Sequence, residues 1–249
     1  MTIFARKRIS RRAFIGTLLG SAALAGCTTL EPASEEQLKT FPEAPAAPPP
    51  PPPTFKPIVT DPSIIYSSIE DGEFTIPAVP YKKINPKFYR QVVADPTGEA
   101  PGTLVVDTAN RLLYFVMPFG EAIRYGVAIG REGFAWSGKA NVERRAQWPT
   151  WTPPKEMIER DPKLEKFSQE NGGMPGGLKN PLGARALYIY QNGIDTLYRI
   201  HGSPEWSSIG KKASSGCVRL MNQDIIDLHR RVPQNAPVVV FGEDAPLTF

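Results

Sequence analysis

Asn192-Gly193 stands between two runs of alternating apolar residues, Ala186 to Tyr190 and Thr196 to Ile200. A two-residue Asn-Gly loop favours the left-handed backbone of a tight hairpin, so this stretch must pair with itself as antiparallel strands. The same period of two recurs upstream. Leu104-Val105-Val106 and Leu112 to Met117 flank Thr108-Ala109-Asn110-Arg111, which reads as a second hairpin. Ala122 to Ile129 follows Gly120, and Ala236 to Phe241 supplies a last strand. Helical signals are fewer. Pro154 to Lys166 is one; the other takes Asn222 as N-cap, carries Ile225, Leu228 and Val232 on one face, and stops at Pro233. The pattern predicts a mainly β domain, a sandwich or open barrel with a few short helices.

The chain upstream of that domain has a different character. Residues 28–56 are poor in large apolar side chains and contain Pro42, Pro45 and the unbroken run Pro48 to Pro53. Such a segment buries too little surface to offset its ordering entropy and reads as an extended tether. At ~3.1 Å per residue for polyproline II, residues 31–55 reach at most ~80 Å. A proline-rich ligand for a partner domain is the alternative. From Ile58 about 190 residues remain, enough for one domain that buries roughly 70% of its unfolded surface. Within it, residues 57–101 are expected as an N-terminal extension packed on a catalytic domain at 102–242, with 243–249 as a tail.

Residues 1–27 read as an export signal. Arg6-Lys7-Arg8 and Arg11-Arg12 precede a weakly apolar run from Ala13 to Gly26, too short to cross a hydrocarbon core of ~30 Å. The arginine pair before Phe14-Ile15 resembles a twin-arginine signal; a basic leader for the general secretory route is the alternative. Leu24-Ala25-Gly26-Cys27 resembles a lipobox, in which Cys27 is acylated and becomes the mature N-terminus. Ordinary cleavage after Ala25 also satisfies the small-residue rule. The expectation is an exported, lipid-anchored protein of the periplasm, with Thr28 after the cysteine leaning towards the outer membrane. Five of the 29 basic residues lie in this leader and none of the 25 acidic ones do, so the remainder carries 24 against 25. The basic balance therefore gives no argument for nucleic acid as a partner.

With Cys27 assigned to the leader, Cys217 is the one thiol left in the domain. Exported proteins usually pair their cysteines, so a lone thiol points to reactivity. It lies in Ser214-Ser215-Gly216-Cys217-Val218-Arg219, sixteen residues after His201-Gly202-Ser203. A thiol and an imidazole, each beside glycine, are the minimum equipment for a nucleophile and its base. His229 sits beside Arg230 and Arg231 on the second helix and reads as part of a solvated face. One thiol and two distant histidines form no recognisable metal-ligand set, and no cofactor is expected. Gly172 to Gly177 lacks the strand and GxxxxGK context of a phosphate loop and reads as a mobile flap or turn.

Taken together, Asn180-Pro181-Leu182-Gly183-Ala184-Arg185-Ala186, His201-Gly202-Ser203 and Ser214 to Leu220 resemble the L,D-transpeptidases of the YkuD-domain family. The resemblance runs from about Gly102 to Gly242. It implies a β-rich catalytic domain acting on peptidoglycan. Cys217 would take the acyl group of a tetrapeptide stem with release of D-alanine, then pass it to an amine to form a 3→3 cross-link. The same chemistry serves to attach a protein to the wall or, with water as acceptor, to hydrolyse. A non-catalytic wall-binding lipoprotein is the alternative of a different class. The family also implies that a backbone carbonyl, Gly202 or Ser203, fixes the tautomer of His201, and that carbapenems acylate Cys217. Many members have histidine where this chain has Ser215, which leaves His201 as the base.

A thiol of pKa ~8.5 needs help to attack an amide at neutral pH, and a thiolate–imidazolium pair with His201 is expected to supply it. A tight turn at Gly216 would aim the amides of Ser215, Gly216 and Cys217 at one oxyanion. Arg219 either grips a substrate carboxylate or forms a structural ion pair beneath the loop. Ser214, Trp206, Trp151 and Met174 are further candidates for contact with substrate.

Overall fold

The computed structural model describes residues 59–130, 137–213 and 217–242. After the short helix α1 (Pro62–Ile65) come the strands β1 (Ile69–Asp71), β2 (Phe74–Ile76), β3 (Gln91–Ala94), β4 (Leu104–Asp107), β5 (Leu112–Val116), β6 (Glu121–Gly126), β7 (Ala128–Gly130) and β8 (Gly138–Gln147). Helix α2 (Lys155–Arg160) precedes β9 (Arg185–Gln191), β10 (Ile194–Ser203), β11 (Lys212–Ala213) and β12 (Val218–Met221). Helix α3 (Asn222–Arg231) leads to β13 (Ala236–Phe241). The β1–β2 hairpin stands apart from a sheet ordered β11-β7-β12-β10-β9-β8-β13-β4-β5-β6-β3. The fold is mainly β, as the alternation predicts.

Both expected hairpins form. Asn192 and Gly193 have φ of 52° and 74°, the left-handed pair that joins β9 to β10. Asp107 accepts from the Asn110 backbone and side chain across the β4–β5 turn. The expected helix over Pro154 to Lys166 divides. α2 ends at Arg160, and Pro162 opens a separate 3-10 segment, Pro162–Phe167. Proline disfavours helical backbone in the residue before it, and Asp161 is extended. β8 escapes the period-two reading because, of its ten residues, only Ala140 and Val142 are buried.

One core cluster draws Leu104 and Val106 of β4, Leu187 and Ile189 of β9, Ile200 of β10, Val218 and Leu220 of β12, and Ile225 and Leu228 of α3. Strands far apart in the sheet order thus share one interior, with α3 against it. A second cluster takes Val105, Tyr114 and Val116 from the opposite face together with Ile65, Tyr66, Ile84 and Phe88. The segment from α1 to β3 therefore covers that face. Polar contacts fasten it as well. Tyr66 donates to Asp224, Arg90 lies 3.4 Å from Asp227, and Gln223 donates to the carbonyls of Ser67 and Pro77. Asp71 accepts two 2.7 Å bonds from Arg185 and one from the Trp148 indole.

Candidate active site

β10 and β12 run parallel, with Ile200 level with Val218 and His201 level with Arg219. Cys217 comes immediately before Val218 and so falls level with Arg199. Side chains alternate along a strand. Ile200, Val218 and Leu220 point into the core, so Arg199, His201, Cys217 and Arg219 share the opposite face. Gly202 brings α3 close: a Cβ there would meet Asn222 Oδ1 at 2.4 Å and Ile225 Cγ2 at 2.9 Å. Asn222, expected as an N-cap, instead accepts the Ala184 N–H at 2.9 Å, and Met221 takes the cap position.

His201 is buried, and its Nδ1 lies 2.6 Å from the Gly202 carbonyl oxygen. A carbonyl can only accept, so Nδ1 carries the proton and Nε2 keeps the lone pair. Burial lowers its pKa to about 4; the bond to Gly202 works the other way, and the charges of Arg219 and Arg199 add to the lowering. Cys217 is half-buried and unpaired by any disulfide. Burial pushes its thiol above the usual value, while the Arg199 N–H, bonded to sulfur, and the charges of Arg199 and Arg219 act to lower it. These directions correct the expectation of a resting thiolate–imidazolium pair. Desolvation penalises both charges and so favours a neutral thiol and a neutral imidazole.

Arg219 lies 3.3 Å from Glu205, a side chain that is 69% exposed. Trp206 is half-buried in the 3-10 turn Trp206–Ser208 and packs against the second core cluster. Trp151 and Met174 exchange backbone bonds of 2.9 and 2.7 Å, and buried Asn180 donates to the carbonyls of Pro149, Met174 and Pro175. The glycine-rich stretch is therefore a stapled turn, not a flap. Ser214, Ser215 and Gly216 lie outside the described residues, as does Cys27. His229 departs from the solvated reading: it is buried, and burial with nearby arginines lowers its pKa to about 4. Arg199 was not among the expected site residues. Its place beside the thiol depends on parallel pairing of strands eighteen residues apart, and such pairing leaves no local mark in a sequence.

The family model of the L,D-transpeptidase catalytic domain, YkuD, matches residues 101–240. The chain belongs to this family. Two proteins of Escherichia coli K12 are similar to it. "Probable L,D-transpeptidase YbiS" is 35% identical over 151 residues, 58% of this chain and 46% of that protein. "Probable L,D-transpeptidase ErfK/SrfK" is 32% identical over 152 residues, with the same coverage of 58% and 46%. The chain thus spans about half the length of these curated relatives. A solved structure named "Crystal structure of a Probable carnitine operon oxidoreductase caia from Brucella melitensis" is 45% identical, covering 65% of this chain and 99% of that one, with a TM-score of 0.44. The span matched to the L,D-transpeptidase domain contains His201, Cys217 and Arg219 and leaves the segment from α1 to β3 outside it.

Proposed function

We propose that this L,D-transpeptidase domain transfers acyl groups of peptidoglycan stems through Cys217, with His201 as its base. The observation that carries the reading is the placement of both residues on one face of adjacent parallel strands, with the His201 tautomer fixed by Gly202. Cys217 Sγ attacks the carbonyl between the third stem residue and D-alanine as its proton passes to His201 Nε2. The carbonyl oxygen takes the negative charge, and the amides of Ser215 and Gly216 are its proposed donors, each worth about 3 kcal/mol. The intermediate collapses, the C–N bond breaks, and His201 returns the proton to the departing D-alanine nitrogen. A thioester remains. The side-chain amine of a second stem attacks it, giving a 3→3 cross-link and restoring the thiol. Water in place of the amine gives hydrolysis, and a protein amine gives wall attachment. Carbapenems enter by the same attack and stay on the sulfur.

Purified protein incubated with tetrapeptide muropeptides is expected to yield dimers resistant to a 4→3 endopeptidase. Tripeptide monomers alone would assign hydrolysis instead, and no D-alanine release would overturn the reading. Export through residues 1–27 and acylation of Cys27 belong to the same proposal. Radiolabelled palmitate should enter the wild-type chain and be absent from Cys27→Ser; equal labelling of the two would refute the anchor.

A further inference from the structure

The face that holds Cys217 continues across three strands. Arg144 of β8 is level with Tyr188 of β9, Tyr188 with Arg199 of β10, and Arg199 with Cys217. The buried Tyr188 ring contacts both guanidiniums, whose central carbons lie 4.3 Å (Arg144) and 4.4 Å (Arg199) from its centroid. The two cations are treated differently. Asp195 engages Arg199 through bonds of 2.7 and 2.8 Å. Arg144 is exposed, and among the described residues no carboxylate approaches it within ion-pair distance.

Stacking on an aromatic ring orients a guanidinium at little entropic cost and leaves its N–H edge in water. An arginine so held is prepared for a planar, two-pronged acceptor. Strands lie ~4.8 Å apart, so three steps from Cys217 to Arg144 cover about 14 Å. An extended peptide advances ~3.4 Å per residue, so the three residues left on the sulfur reach about 10 Å, and a carboxylate side chain with its hydrogen bond of ~2.8 Å covers the rest. A peptide acylating Cys217 and running across the strands thus reaches Arg144 within its own length.

We infer that Arg144, seated on Tyr188, recognises a carboxylate of the peptide whose acyl group Cys217 receives. The inference rests on the transpeptidase reading. Its test is calorimetric binding to the full chain carrying Cys217→Ala, which cannot turn over. Two tetrapeptide stems are compared, one with free internal carboxylates and one with these amidated, each with and without Arg144→Ala. Arg144→Ala should weaken the free-carboxylate stem about 5- to 20-fold, leave the amidated stem within two-fold, and leave the melting temperature unchanged. Arg144→Lys should recover part of the loss. Equal binding of both stems with Arg144 present, or an equal effect of Arg144→Ala on both, overturns the inference and spares the reading. Failure of the free-carboxylate stem to bind with Arg144 present overturns both.

Discussion

At the nucleophile the governing question is where one proton resides. Burial favours the uncharged forms of Cys217 and His201, so in the proposed reaction the proton leaves sulfur as the carbon–sulfur bond forms. The rate of Cys217 acylation by a carbapenem should then fall on the acid side with the protonation of His201. That limb is expected at about pH 4, with a plateau through neutrality. A limb at pH 6.5 or above would show the imidazole in a water-like setting. His201→Ala should cut acylation by about 10²-fold or more without unfolding the domain. The two residues stand out in the sequence as a lone thiol and a histidine beside glycine, and the proposal rests on that same pair. Their protonation was not legible there, because burial comes from strands that pair over long separations.

At the scale of elements, turn chemistry was the most readable signal. Asn192-Gly193 specifies its hairpin through backbone preference alone. β8 was unreadable because most of its side chains stand in solvent or half-buried, and its place comes from pairing with β9 and β13. The β1–β2 hairpin leaves still less trace. It is held by an ion pair from Asp71 to Arg185, which is only 5% exposed. Asp71→Ala would leave that guanidinium buried without its carboxylate. The cost is expected to be about 3 kcal/mol, seen as a melting temperature lower by roughly 6–12 °C. A change under 2 °C would mean water replaces the carboxylate.

Across the whole molecule, the segment from α1 to β3 meets α3 through buried charge. Asp224 has its pKa raised to about 7, by burial first and by Asp227 as well, against the pull of Arg90. Its folded value lies above the unfolded one, so its contribution is fully present below pH 4 and is lost as pH rises through 7. His201 and His229 act in the opposite sense: their folded values of about 4 make stability fall as pH drops below 6.5. Urea unfolding of wild type against Asp224→Asn isolates the aspartate. Between pH 5 and pH 8 the wild type should lose on the order of 2 kcal/mol relative to the variant. A constant difference across that range would show Asp224 ionised throughout.

The central claim is that Cys217 itself carries the acyl group. Intact-mass analysis of the full chain, quenched in acid during turnover of a tetrapeptide stem, tests it most directly. The account predicts a tripeptidyl adduct on Cys217 that hydroxylamine removes and that Cys217→Ala lacks. Cross-linked product from Cys217→Ala, or turnover by the wild type with the adduct on another residue, would contradict it.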